Sequence, residues 1–209
     1  MKKADVDAES LSMSSLEVIC WHCHGSTVDT EPFCQRCHTI LEYKGVPPFE
    51  LLHIEKGFSI DLKKLERIYF DFMARLHPDR FARASNQEKS FALQWSSAFN
   101  DAYAKLKDPL KRLKTLINEE VPDIQSPIIL QQAMEDQEKL VQIQRDHKAV
   151  QDFEKDVQKR IQDLYASVPN SIGTQQKKEA SDLYLRLKYL DTLMRNIYSF
   201  KRKHAFTDS

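Results

Sequence analysis

The residues of this sequence whose types and spacing could do chemistry are four cysteines and one His-Pro-Asp tripeptide. Cys20-x2-Cys23 and Cys34-x2-Cys37 are separated by ten residues, and no cysteine lies outside that span. Each pair can turn two thiolates toward one centre, and two pairs complete a tetrahedral shell of four sulfurs. Zinc suits such a shell, because it needs no redox cycle and a closed site leaves no position for a substrate. Two other readings stay open on spacing alone: a dithiol redox pair and an iron–sulfur cluster. His22, His24 and His38 flank the cysteines and read as solvated neighbours, with Trp21 as a cover. So short a module cannot bury a core of its own, so bound metal would supply its folding energy.

The tripeptide His77-Pro78-Asp79 places a titratable ring, a rigid backbone and a carboxylate in three positions. A turn would explain it, since Pro78 disfavours helical geometry at His77 and Asp79 can cap or turn. Its neighbours give it context. "PFELLHI" follows a double proline and reads as a short helix halted near Gly57. Ser59 or Asp61 can cap a second helix whose apolar stripe is Leu62, Leu65, Tyr69, Phe72 and Leu76. Lys63, Lys64, Arg67 and Arg75 lie off that stripe and make a basic face. A third helix begins near Ser85–Gln87, with Phe91, Trp95, Ala98, Phe99, Ala102 and Leu106 inward. The three would share one core.

The rest of the chain is also helical. Residues 1–16 are polar and aperiodic and are expected to be disordered. Residues 17–44 form the cysteine module, and "GVPP" (45–48) a stiff connection into a helical domain over 45–117. "NEEVPDIQSP" (118–127) marks the boundary. Residues 128–209 read as a three-helix bundle, with stripes through Ile128, Leu130, Met134, Leu140 and Ile143, through Val150, Phe153, Val157, Ile161 and Leu164, and through Leu183, Leu187, Leu190, Leu193, Met194 and Ile197.

Composition narrows the function. Thirty-one basic and 31 acidic residues leave no global field to direct the chain to nucleic acid or membrane. Only four glycines and 30% charged residues favour helices. No apolar run approaches the roughly 20 residues that span a bilayer, and the N-terminus lacks a secretory apolar core. The expectation is a cytosolic protein, with a processed mitochondrial-matrix form as the alternative. No phosphate loop or nucleophile–base constellation is present, so an enzyme is not expected.

"PPFELLHIEKGFSIDLKKLERIYFDFMARLHPDRF" and "FNDAYAKLKDPLKRLKTLI" resemble the J-domain of the HscB/Hsc20 co-chaperones of iron–sulfur cluster assembly. The paired Cys-x2-Cys module is similar to that of eukaryotic members, and the resemblance extends over about residues 20–203. It implies an all-α fold: a J-domain helical hairpin and a C-terminal three-helix bundle, preceded by a small metal-bound tetracysteine module. It implies two partners, a specialised Hsp70 (HscA-type) and an IscU-type scaffold protein. His77, Pro78 and Asp79 would contact the Hsp70, with Lys63, Lys64, Arg67 and Arg75 facing its acidic surface. Arg80 stands where lysine is common, preserving the charge. Leu130, Met134, Glu135 and Glu138 would bind the scaffold, with Lys188 and Tyr189 on the last helix. Gln131 departs from the apolar residue common there, and periodicity alone allows Leu130 and Met134 in either core or surface. Two rival functions use the cysteines instead: a zinc-ribbon adaptor, or a redox-switched holdase. The adaptor would need cations near the cysteines, where only Arg36 and Lys44 occur.

Overall fold

Side chains at the helix boundaries decide where the helices start. Asp61 accepts from the backbone N–H groups of Lys63 and Lys64, opening helix α2 (Leu62–Arg75). Ser85 and Glu88 form a reciprocal capping box: the Ser85 N–H donates to Glu88 Oε2 at 2.9 Å, and the Glu88 N–H to Ser85 Oγ at 3.3 Å. Helix α3 (Asn86–Lys107) follows. Asp108 caps α4 (Pro109–Leu116), so Pro109 restarts a helix at the position where its missing N–H does no harm. The computed structural model of the protein describes residues 17–117, 127–169, 172 and 176–203. It is mostly helical, as expected. Before α2 lie the short antiparallel strands β1 (Glu17–Ile19) and β2 (Ser26–Val28) and the single-turn helix α1 (Pro48–Leu51). After α4 come α5 (Pro127–Ile143), α6 (His147–Ser167) and α7 (Lys177–Lys203).

The described chain divides into two compact units. The first joins the cysteine module to Ile60–Leu106, and the second joins Lys56–Ser59 to the chain after Leu106. These boundaries differ from those expected. The module is not a separate body, because it shares the aromatic core of α2 and α3. Trp95 is fully buried, and its indole N–H donates to the Leu41 carbonyl at 2.8 Å. Tyr43 meets the same ring edge-on at 5.0 Å. Ile40, Leu41 and Val46 are buried with it. Within "GVPP" only Val46 is buried: Gly45 takes a positive φ of 84°, which a side chain would strain, and the Val46 carbonyl accepts from Tyr43 at 3.0 Å. Helix α4, expected with α2 and α3, packs on α7, and its Leu113 and Leu116 are buried. The expected boundary at 118–127 falls almost entirely outside the described residues, as does the expected disorder of 1–16.

Within the first unit, Leu65, Phe72 and Leu76 of α2 face Trp95, Phe99, Ala102 and Leu106 of α3, all buried. Phe72 and Phe99 stack with centroids 4.3 Å apart, and Tyr69 stacks on Tyr103 at 4.1 Å. Leu62, counted in the α2 stripe, is half exposed as the first residue of the helix. In the second unit Leu140, Val150, Phe153, Val157, Leu190, Leu193, Met194 and Ile197 form one core. Trp95→Ala should therefore destabilise the first unit by about 3–5 kcal/mol. Urea unfolding followed by amide exchange would register this as lost protection in α2 and α3, with α5–α7 unchanged.

Candidate functional site

The cysteine module is built from two matching backbone knuckles. The His24 N–H donates to the Cys20 carbonyl at 3.0 Å, and the Cys20 N–H to the Gly25 carbonyl at 2.9 Å. The second knuckle repeats this: His38 N–H to Cys34 O at 2.9 Å, and Cys34 N–H to Thr39 O at 2.9 Å. His24 and His38 close the loops in the left-handed region, with φ of 53° and 58°, a conformation uncommon outside glycine. Two local geometries that L-residues seldom adopt are thus held at matching positions, and both aim paired sulfurs inward. Cys20 Sγ lies 3.6 Å from Cys37 Sγ, and Cys23 Sγ 3.8 Å from Cys34 Sγ. All four sulfurs fall within 4.8 Å of one another.

Those separations fit one metal ion. A tetrahedral shell with metal–sulfur bonds of about 2.3 Å has edges of roughly 3.8 Å. They are far too long for disulfides, which span about 2.05 Å. Several iron atoms interposed among the thiolates would spread the sulfurs farther than a single ion does. The exposed imidazoles of His22, His24 and His38 stand outside the group, which among the described residues consists of the four cysteines alone. The thiols are unequal. Hydrogen bonds from the Thr39 hydroxyl and backbone hold Cys37 down at about 5. A backbone N–H bond at Cys37 also lowers Cys34. At Cys23 the Gly25 N–H pulls downward, but burial and the neighbouring sulfurs outweigh it and raise the thiol to about 11.

The His-Pro-Asp turn sits at the end of α2. Leu76 closes that helix, and His77 takes φ −58° and ψ 135°, the extended geometry that Pro78 imposes. Pro78–Phe81 then form a single 3-10 turn. His77 Nδ1 accepts from the Asp79 N–H at 3.4 Å and lies 3.6 Å from Asp79 Oδ2. The Asp79 side chain is 91% exposed and that of His77 60%. Lys63, Lys64 and Arg67 are exposed along α2, and none pairs with an acid among the described residues. Arg75 departs from that face. Its guanidinium lies over Phe33 and Phe72, at 5.0 and 5.3 Å from the ring centroids. Beside the turn, α2 and α3 enclose an apolar groove of about 840 Å³ bordered by Phe70, Met73, Pro78, Phe81 and Leu93. Phe70 and Leu93 are 58% and 71% exposed. Sequence reasoning passed over both, although an apolar residue outside its helix's stripe was the available signal.

On the second unit, Leu130 and Met134 are 48% and 58% exposed, which answers the core-or-surface question for α5. Glu135 and Glu138 are exposed with them, and Gln131 Nε2 donates to Glu135 Oε1 at 2.9 Å. Lys188 is exposed on α7. Tyr189 is turned inward: its hydroxyl donates within reach of Asp136 Oδ2 at 3.1 Å and the Ala133 carbonyl at 3.3 Å. Burial, then the Asp136 charge, raises the Tyr189 phenol well above its usual range. Asp136 is itself buried and receives a bidentate pair from Arg160 at 3.0 and 2.8 Å. That hydrogen bonding raises the Arg160 guanidinium. Sequence reasoning missed this pair, because an acid in an imperfect stripe carries no mark of a partner 24 residues away.

Together, the exposed His-Pro-Asp turn between a basic-faced helix and an aromatic one, with a helical bundle after it, defines a J-domain co-chaperone. Comparison with known proteins agrees. The chain is 31% identical to the co-chaperone protein HscB homolog of Neisseria meningitidis serogroup A, over 72% of this chain and 96% of the relative. It is 29% identical to that of Aeromonas hydrophila, over 73% and 95%. The chain therefore belongs to the HscB co-chaperone family. Residues 125–197 match the family described as the HSCB C-terminal oligomerisation domain. The crystal structure of human co-chaperone protein HscB superposes with a TM-score of 0.76 at 26% identity, covering 90% of this chain and 99% of that one. The residues after Lys44 alone cannot supply that share, so the likeness extends into the cysteine module. Chaperone HscB from Vibrio cholerae gives 0.68 at 26% identity, over 76% and 99%.

The sulfur geometry predicts one metal ion per chain, counted by elemental analysis and lost on Cys34→Ser. Cys23, held protonated at neutral pH, must release its proton to ligate, whereas Cys37 is already a thiolate above about 5. Metal affinity should accordingly fall as pH falls. Calorimetry at pH 7 in buffers of different ionisation enthalpy should detect proton release.

Proposed function

We propose that this protein is a non-enzymatic J-domain co-chaperone of iron–sulfur cluster assembly. Its exposed α5 face binds an IscU-type scaffold, and its His-Pro-Asp turn engages a specialised HscA-type Hsp70 and stimulates ATP hydrolysis there. The chemistry occurs on the partner. The observation that carries this reading is the near-complete exposure of Asp79 at the end of a helix whose basic residues are also displayed. Pro78 holds the turn in one geometry before encounter, which lowers the ordering cost of binding. Asp79 offers a carboxylate for a charge-assisted hydrogen bond, and Lys63, Lys64 and Arg67 steer approach to an acidic surface. On α5, Leu130 and Met134 supply apolar contact, and Glu135 and Glu138 supply charge within two turns of one helix. Lys188 on α7 extends the scaffold contact, while Tyr189 supports it from inside.

Zinc is the ion this site suits, held by Cys20, Cys23, Cys34 and Cys37 in a structural role. The zinc-ribbon adaptor gains no support: of the two cations at 17–44, Lys44 pairs with Glu42 at 2.9 Å. Among the described residues no helix is long and apolar enough to cross a membrane. The bacterial relatives support a cytoplasmic setting.

Asp79→Asn should abolish stimulation of the Hsp70 ATPase while scaffold binding, measured by calorimetry, stays at the wild-type value. Full stimulation by that variant would refute the mechanism. Glu135→Ala with Glu138→Ala should weaken scaffold binding by roughly 5- to 30-fold and leave stimulation by the chain alone unchanged.

A further inference from the structure

Arg75 stands two residues before His77 and belongs to the last turn of α2. Its guanidinium lies over two aromatic rings from different parts of the first unit. Phe72 is its own helix neighbour, at 5.3 Å, while Phe33 comes from the second cysteine knuckle, at 5.0 Å. Phe33 directly precedes the buried ligand Cys34 and bridges to Ile40 across the knuckle. Glu31, two residues earlier, reaches the same place: Oε2 lies 4.0 Å from Arg75 Nη2, and Oε1 lies 3.3 Å from His53 Nε2. That second approach has ion-pair distance without hydrogen-bond alignment. His53 takes a positive φ of 49° and stacks on Phe72 with centroids 5.9 Å apart. The long, half-exposed ion pair contributes little. The stack carries the contact, because a planar guanidinium over aromatic faces is attracted to both rings, and lysine does not reproduce it.

We infer that Arg75 is a positioning residue for the His-Pro-Asp turn, and that the metal-binding knuckle is what holds it. The chain of contacts is continuous from Cys34 through Phe33 and Arg75 to Leu76 and His77. Closing the four thiolates around an ion fixes residues 31–41. Those residues fix Arg75, and Arg75 fixes the final turn from which the loop departs. The module thereby acquires a task that its closed shell, which offers no substrate position, does not otherwise suggest. It braces the working surface of the J-domain, and loss of the metal would loosen that surface without touching a residue of the turn.

The inference rests on the co-chaperone reading only where ATPase stimulation is the readout, and the test separates the two. Amide exchange by mass spectrometry is followed over residues 74–80 in the full-length, metal-loaded chain. Phe33→Leu, which removes the ring but keeps apolar bulk, and Arg75→Ala should each retain one metal ion per chain. Each should speed exchange there by about three- to tenfold, and Arg75→Lys should behave like Arg75→Ala. The double variant should add little to either single one, as for two ends of one contact. Wild-type protein stripped of metal should show the same acceleration, and all four variants should stimulate the Hsp70 less than wild type. Wild-type exchange over 74–80 in both single variants would overturn the inference, even where Asp79→Asn abolishes stimulation. If Asp79→Asn instead leaves stimulation intact, the co-chaperone mechanism fails while the exchange result still decides the role of Arg75.

Discussion

The stack of Phe72 on Phe99 is the contact around which the first unit is assembled. It joins α2 to α3 at 4.3 Å, and each ring recruits a second neighbour. Phe99 stacks on Trp95, whose indole N–H secures the Leu41 carbonyl of the cysteine module. Phe72 stacks on His53 after α1 and supports Arg75 at the start of the turn. A buried aromatic series thus links a metal knuckle at one side to an exposed loop at the other. Rigid, buried rings suit this task, since each removes a large apolar area from water and has few rotamers to lose.

The second unit solves a different problem, that of displaying an apolar face without collapsing it. On the opposite side of α5 from Leu130 and Met134, the buried Asp136 carboxylate is committed to Arg160 and within reach of the Tyr189 hydroxyl. A buried ion pair adds little net stability, since desolvation offsets most of its Coulomb gain, but misplacing either partner is costly. The pair therefore fixes which side of α5 faces out. Glu135 and Glu138 flank the fixed acid and stay in solvent.

Much of this was legible in the sequence, and what was legible was local. The two Cys-x2-Cys pairs, the proline-forced extension at His77 and the cap at Asp61 depend on neighbours a few residues away. The α3 stripe was readable because its inward residues recur at helical spacing, whatever they meet. What sequence reasoning missed depends on distant partners. Trp95 and Leu41 are 54 residues apart, and nothing in either position announces the other. Arg75 looked like one more cation on a basic face, because periodicity cannot show an aromatic knuckle waiting beside it. Helix α4 was grouped with its sequence neighbours, although it packs on α7. Tyr189 matched a family position for scaffold contact, yet its hydroxyl faces an acid that no spacing rule would pair with it.

On the proposed function, this chain brings a client to an Hsp70 and triggers hydrolysis on it. The most direct measurement is the steady-state ATPase rate of the HscA-type chaperone, titrated with the intact chain in the presence and absence of the IscU-type scaffold. The expected result is a saturable rise with the chain alone and a larger rise, at lower concentration, when the scaffold is also present. A flat rate at saturating chain, with or without scaffold, would contradict it.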